Sequence, residues 1–151
     1  SANGSPARFI FCHSVEAREK LAACVSVANQ PKVQAAPVTV IIGFDPKFYD
    51  KLPELFPHVD ARPWFNWSAD FARETAFRNS SLQGAYLIMA ARGLGWDTGP
   101  MSGFDKMAVD AAFWGETGIE TNFICSFGKG NGAGLFPRLP RLSFEDAAQI
   151  L

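Results

Sequence analysis

The chain lacks most of the residue patterns that announce a particular chemistry. It has only two histidines and three cysteines. Cys12, Cys24 and Cys125 form no Cys-x-x-Cys pair and no Cys/His ligand spacing, which speaks against a zinc centre and a disulfide framework. They read as reduced, mostly buried thiols of a cytoplasmic protein. There is no Gly-x-Ser-x-Gly elbow and no His-Glu-x-x-His pair, so hydrolase and zinc-peptidase readings have little support. No stretch of about 18 apolar residues occurs, which excludes a membrane-crossing helix. Charge of either sign is not in excess: 14 Lys and Arg face 15 Asp and Glu. No basic field invites nucleic acid, and the expectation is no nucleic-acid and no membrane partner.

Apolar residues make up 48% of the 151-residue chain and charged ones 19%, enough to bury one core. Arg8-Phe9-Ile10-Phe11-Cys12-His13 predicts a buried strand. Ser14 predicts the cap of a helix from Val15 to Val25. Asn29-Gln30-Pro31 predicts a break, with Lys32 on a short turn. Pro37 to Phe44 is β-branched on both faces and predicts a strand in mid-sheet. Asp45-Pro46 predicts a helix through Leu55. The loop from Pro57 to Trp67 carries Trp64, Phe65 and Trp67; it reads either as a substrate lid or as a loop folded on its own core.

Ser68-Ala69-Asp70 opens the longest helical pattern, ending near Gly93 and Gly95. Apolar residues surround much of it, which predicts a central helix or one buried in a dimer. Ser80, Ser81, Gly84 and Ala85 would admit another backbone at close range. Gly99 to Asp105 predicts a turn feeding a helix from Lys106 to Trp114. Asn122 to Gly128 predicts a strand, then comes a glycine-rich loop through Gly134, then a Pro-bounded extended segment, and a last helix from Phe144 to Leu151. Strands and helices alternate around one sheet, so the class is α/β or α+β.

Candidate chemistry is sparse. His13 and His58 read as structural or solvated. The loop from Gly128 to Gly134 follows a strand but lacks Gly-Lys-Ser/Thr and opens no helix, so a phosphate loop fails on context. Arg138 and Arg141 lie in the extended segment, where arginine forks suit a phosphate. Asn29 and Lys32, three residues apart, can share one face.

In order along the chain, Ser1 to Pro6, Asn29-x-x-Lys32, Gly99-Pro100-Met101-Ser102-Gly103-Phe104, Gly128 and the Arg-Leu-Pro segment resemble the FMN-dependent nitroreductase family. Phe77 to Ile88, Gly99 to Asp105 and Leu135 to Arg141 look like its malonic semialdehyde reductase branch, which acts in pyrimidine degradation. The resemblance implies an α+β nitroreductase-like fold: a mostly antiparallel sheet flanked by helices, one domain over 1–151, in an intertwined homodimer with FMN at the subunit interface. It also implies that a helical segment upstream of Ser1 is missing, with part of the cofactor site.

Residue by residue, the resemblance gives Ser1 and Asn3 to an FMN bound by the partner subunit. Asn29 would hydrogen-bond the pyrimidine edge of the flavin, and Lys32 would sit near its N1/O2 edge, where a cation stabilises the reduced form. Pro100, Met101, Ser102 and Gly103 would form the backbone turn at N5 and O4, with Ser102 and Gly103 at N5. Arg138, or Arg141, would bind the phosphate. Lys129 stands where the family has an aromatic residue; it reads as an extra phosphate contact or a solvated loop lysine. The implied activity is ping-pong hydride transfer from NADPH or NADH through the flavin to a small-molecule substrate, with no acid–base side chain and no metal. Malonic semialdehyde, giving 3-hydroxypropanoate, is the preferred acceptor. A broad nitro or quinone reductase is the alternative enzyme, and a non-catalytic flavin-binding or dimerisation protein the alternative of another class.

Overall fold

A computed structural model describes residues 1–132 and 135–151. Residues 133 and 134, in the glycine-rich loop, lie outside the described residues. The strands are β1 (Ala7–Cys12), β2 (Val38–Phe44), β3 (Asp97–Met101) and β4 (Glu120–Gly128). The helices are α1 (Val15–Ala22), α2 (Gln30–Ala35), α3 (Leu52–Leu55), α4 (Ala69–Gly93), α5 (Lys106–Val109) and α6 (Phe144–Ala147). The sheet order is β1-β2-β4-β3, with every neighbouring pair antiparallel. This is the α+β arrangement, an antiparallel sheet flanked by helices, that the resemblance implies.

The β-branched run of β2 takes an internal position, and every residue after Val38 is buried. Its alternate side chains serve different layers. Val40 and Ile42 join Cys125 and Phe127 on the face covered by Leu87, Ile88 and Ala91 of α4. Ile41 and Ile124 face the other way, onto Leu21, Val33, Val109 and Trp114. The sheet is therefore the middle of three layers. Phe44 continues into a third cluster with Phe48, Leu52, Phe65 and Ala76.

Within one chain, helix α4 buries only part of its circumference. Ser68 caps it, accepting from the Phe71 N–H at 3.3 Å. Its buried residues are small: Ala72, Thr75, Ala76, Ser80 and Gly84. A Cβ at Gly84 would come within 2.5 Å of the Phe123 ring, and Asn122 Nδ2 donates to Ser80 Oγ at 2.8 Å and Ser81 Oγ at 2.9 Å. The small residues thus admit the helix's own sheet. Phe77, Leu82, Tyr86 and Met89 remain exposed.

Other boundaries shift for identifiable reasons. The expected break at Pro31 is the start of α2, because proline in a first turn has no intrahelical N–H to lose. Gly99, Pro100 and Met101 lie on β3 rather than in a turn; β3 is an edge strand, where proline is tolerated. Helix α1 stops at Ala22. The segment from Asp45 to Leu55 forms a 3-10 turn (Phe48–Lys51) and then α3. The helix expected over 106–114 becomes α5 and a π-helical turn (Asp110–Trp114). There Asp110 Oδ1 accepts from the Thr121 N–H at 2.8 Å and Oγ1 at 2.6 Å. Helix α6 ends at Ala147, short of Leu151, because its residues are all exposed and find no surface to prolong it.

Candidate functional site

The Asn29–Lys32 spacing acquires its meaning at the head of α2. The Asn29 N–H donates to Ser26 O at 2.8 Å, and the Lys32 N–H donates to Asn29 O at 3.1 Å. This turn stacks the two side chains, and Lys32 Nζ donates to Asn29 Oδ1 at 3.0 Å. Asn29 Nδ2 in turn donates to Gly103 O at 3.1 Å. The same carbonyl accepts from the Ser26 N–H at 2.9 Å. A side chain at 103 would not fit: its Cβ would lie 2.7 Å from Asn29 Nδ2 and 3.0 Å from Ser26 Oγ. The turn is tied a second time by the Asp105 N–H, which donates to Cys24 O at 2.8 Å.

Asn29, Lys32, Ser102 and Gly103, separated by up to 74 positions, therefore meet in space. Pro100, Ser102 and Gly103 are exposed, whereas the Met101 side chain is buried in the core. Lys32 lines a cleft of about 740 Å³ whose other walls include Trp96, Gly99, Ser126 and Lys129, within the ~300–1,000 Å³ typical of ligand sites. The Lys129 ammonium lies 5.5 Å from the Trp96 ring centroid and hydrogen-bonds Gly95 O. Asp97 clips the rim: its Oδ2 accepts from the Gly130 N–H at 2.7 Å. That bond, with Arg92, holds the Asp97 carboxyl below its ordinary range. A second depression of about 500 Å³ is lined by Cys24, Ser26, Ser102, Gly103 and Asp105. The Asn29 bridge links Lys32 on the first cavity to Gly103 on the second.

Other candidates lie elsewhere. Ser1 and Asn3 belong to a turn at the far end of the sheet. The Ser1 amine donates to Asn79 Oδ1 at 2.8 Å, and Asn3 Nδ2 donates to Leu55 O at 2.9 Å. That turn leads into Ala7, the partner of Phe44, while Gly99 is level with Ser126, Thr39 and Cys12 at the opposite end. The six residues of β1 separate the two ends by about 17 Å. The turn holds Ala2, Asn3 and Ser5 at φ of 48°, 52° and 39°, a left-handed backbone that costs about 1 kcal/mol or more per non-glycine residue. Arg138 and Arg141 sit in a segment, 135–151, that is exposed throughout. Arg141 Nη1 turns to its neighbour Leu139 O at 2.9 Å, and Arg138 has no hydrogen bond or ion pair among the described residues.

The aromatic loop divides. Phe65 is buried against Phe48, while Trp64 and Trp67 are exposed near the Asn3 end. His13 and His58 are both exposed. Burial pushes the Cys12 and Cys125 thiols up to about 11, so neither is a nucleophile near neutral pH. Sequence reasoning missed Ser26 as the second donor to Gly103. Its signal was its place three residues before Asn29, the offset at which a turn returns on itself.

No family model matches the chain. A protein of Stenotrophomonas maltophilia (strain R551-3), named by inference an NADH dehydrogenase/NAD(P)H nitroreductase, is 59% identical over 150 residues, covering 99% of this chain and 76% of its own. A relative from Ralstonia pickettii with the same designation, HadB, is 57% identical over 153 residues, covering 99% and 78%. Among solved structures, an inferred nitroreductase of Exiguobacterium sibiricum in complex with FMN superposes with a TM-score of 0.88 at 25% identity, covering 100% of this chain and 79% of that one. With relatives this similar over nearly its whole length, the chain belongs to the nitroreductase family.

Proposed function

We propose that this chain works in an FMN-dependent NAD(P)H oxidoreductase, as a homodimer, with a small aldehyde as acceptor. The observation that carries the reading is the bridge Lys32–Asn29–Gly103, which sets a cation and an exposed backbone turn beside a cleft of ligand size. The relatives' names and the FMN held by the Exiguobacterium protein point the same way.

The residues present fit a flavin ring. Lys32 supplies a positive charge at the cleft wall, and one of its three N–H donors is committed to Asn29. The Ser102–Gly103 turn is narrow and exposed. Lys32 would hold the ring's electron-rich edge, Pro100 to Gly103 would lie along it, and Arg138 or Arg141 would take the phosphate. When bound, FMN supplies a two-electron carrier between NAD(P)H and the acceptor. The chain's own part is orientation and charge: Lys32 favours the form bearing more negative charge, and the turn fixes the ring's depth.

A homodimer is supported by what one chain leaves uncovered. Phe77, Leu82, Tyr86 and Met89 on α4 are exposed, as are Leu135, Phe136, Leu139 and Leu142. Such surfaces mark interfaces. A second copy would also explain why Ser1 and Asn3 lie far from Lys32: each would complete the other copy's site.

By resemblance, the acceptor is malonic semialdehyde, reduced to 3-hydroxypropanoate in pyrimidine degradation. The relatives' names favour a second reading, a broad nitro or quinone reductase. The test is an absorption spectrum of the protein after FMN is added and the excess removed. A retained flavin band that bleaches anaerobically with NADPH or NADH is the expected result, and no retained flavin rejects the reading. Turnover then decides between acceptors: nitroaromatic reduction faster by orders of magnitude rejects the semialdehyde.

A further inference from the structure

We propose that Lys106 is a positioning residue: it hangs the turn from Ser102 to Asp105 on a chain of ion pairs that runs through β4 to α4. The inference rests on the FMN reading above, which gives that turn to the cofactor. It assigns work to charged residues that lie outside the cofactor contacts.

Three observations carry it. First, the turn is supported on two sides. On one, the Ser26 N–H donates to Gly103 O at 2.9 Å, and the Asp105 N–H donates to Cys24 O at 2.8 Å. On the other, Lys106, the residue after Asp105, donates through Nζ to Asp110 Oδ2 at 2.9 Å and to Glu120 Oε2 at 3.0 Å. Second, α5 is only four residues long, far below the length at which a helix holds itself. Asp105 caps it, accepting from the Ala108 N–H at 3.1 Å, and Val109 is buried. Among the described residues, Lys106 is its one side chain that hydrogen-bonds to the sheet. Third, both acceptors are held by other partners. Arg73 of α4 forks onto Glu120, with Nε 2.9 Å from Oε1 and Nη2 2.7 Å from Oε2. Asp110 Oδ1 accepts from the Thr121 N–H and hydroxyl, and Thr121 Oγ1 accepts from Trp114 Nε1 at 3.0 Å.

A lone lysine–carboxylate pair on a surface adds little, because two flexible side chains must be ordered together. Here Arg73 and Thr121 have already oriented both carboxylates, so only the lysine stem loses freedom. Two cations and two carboxylates also leave the cluster neutral. Without the ammonium, the start of α5 would be free to swing about its attachment to residues 24–26, and the exposed turn with it. A backbone turn that must meet a flat ring at one depth binds it best when held there beforehand.

The test compares the purified full chain with its Lys106→Met, Lys106→Arg and Arg73→Gln variants. Hydrogen exchange in the flavin-free protein is read first. The reference is the Trp96 amide, which donates to Ala91 O at 2.9 Å and lies at the opposite end of β4 from Glu120. In Lys106→Met, the Ser26 and Asp105 amides should speed up about tenfold relative to Trp96. Lys106→Arg keeps the charge and should recover at least half of that effect. Arg73→Gln, which releases Glu120, should move the same two amides about threefold. It carries the comparison if Lys106→Met does not fold. Unchanged exchange, or equal acceleration at all three amides, overturns the proposal. The FMN Kd is read second. Lys106→Met should raise it about threefold or more, since a turn less often in place presents the site less often, and Lys106→Arg should restore it. An unchanged Kd beside a loosened turn overturns the positioning role. If the unsubstituted protein takes up no FMN, the functional reading fails, and the exchange comparison alone decides whether Lys106 holds the turn.

Discussion

The two halves of the proposed cofactor site are held in opposite ways. Asn29, Lys32 and Gly103 are locked by hydrogen bonds of 3.0–3.1 Å within one chain. Arg138 and Arg141 stand on a segment exposed along its whole length, where Phe136 is 87% accessible. The first half depends on a short turn laid against a paired strand, and its groups find each other without help. The second half carries its own apolar residues, Leu135, Phe136, Leu139 and Leu142, and all four stay exposed among the described residues. The difference teaches that the proposed site has two unequal halves: one ordered by folding within a chain, the other left for a second copy to order if the proposed dimer forms.

The largest expected effect strikes the frame of the locked half. Gly84→Val would press a side chain into the Phe123 ring, 2.5 Å from the position of its first carbon, and overpacking of this kind costs about 3 kcal/mol. Urea unfolding should show that loss, while proteolysis of the 135–151 segment stays as fast as before. A stable variant would mean that α4 can shift away from β4. Next, Tyr86→Lys with Met89→Lys places charge on the exposed face of α4. It should weaken the proposed dimer about a hundredfold with little loss of monomer stability. Sedimentation that shows an unchanged dimer would remove α4 from the interface.

Arg138→Ala tests the open half directly. A lost charge-assisted bond to phosphate should raise the FMN Kd about ten- to thirtyfold, and Arg141→Ala should do less. The reverse order would pass the phosphate to Arg141.

The smallest effect is electrostatic. Glu120 accepts from Arg73 Nη2 at 2.7 Å and Lys106 Nζ at 3.0 Å. The Arg73 hydrogen bond, followed by that of Lys106 and both charges, outweighs partial burial and holds its carboxyl below the usual 4.5. A carboxylate depressed in the fold adds stability that is present above 4.5 and lost as pH falls through the lower folded value. Glu120→Gln should therefore cost about 1 kcal/mol at pH 7, with the difference shrinking below pH 4.5. A gap that persists in acid would assign the effect to packing.

Short-range physics made parts of this chain legible in the sequence. Ser14 and Ser68 cap α1 and α4 through their own side chains, since capping involves only residues a few positions apart. The β-branched run of β2 became an internal strand because both its faces are apolar. The Asn29–Lys32 pair met because one helical turn brings residues three apart together. Pro31 and Pro100 were misread for one reason: proline breaks regular structure only where an N–H is needed, and neither a first helical turn nor an edge strand needs it there.

What the tertiary structure alone decided is which distant pieces share a place. Family resemblance, not spacing, proposed that Asn29 and Gly103 serve one site, and only β3 pairing with β4 delivers Gly103 to the head of α2. Tertiary packing, through the β1–β2 pairing, also places Ser1 and Asn3 at the other end of the sheet. It turns the small face of α4 onto Phe123 and its large apolar residues outward. Periodicity can count how many apolar residues a helix carries, but which of them meet the core depends on strand register, a contact between residues far apart in the chain.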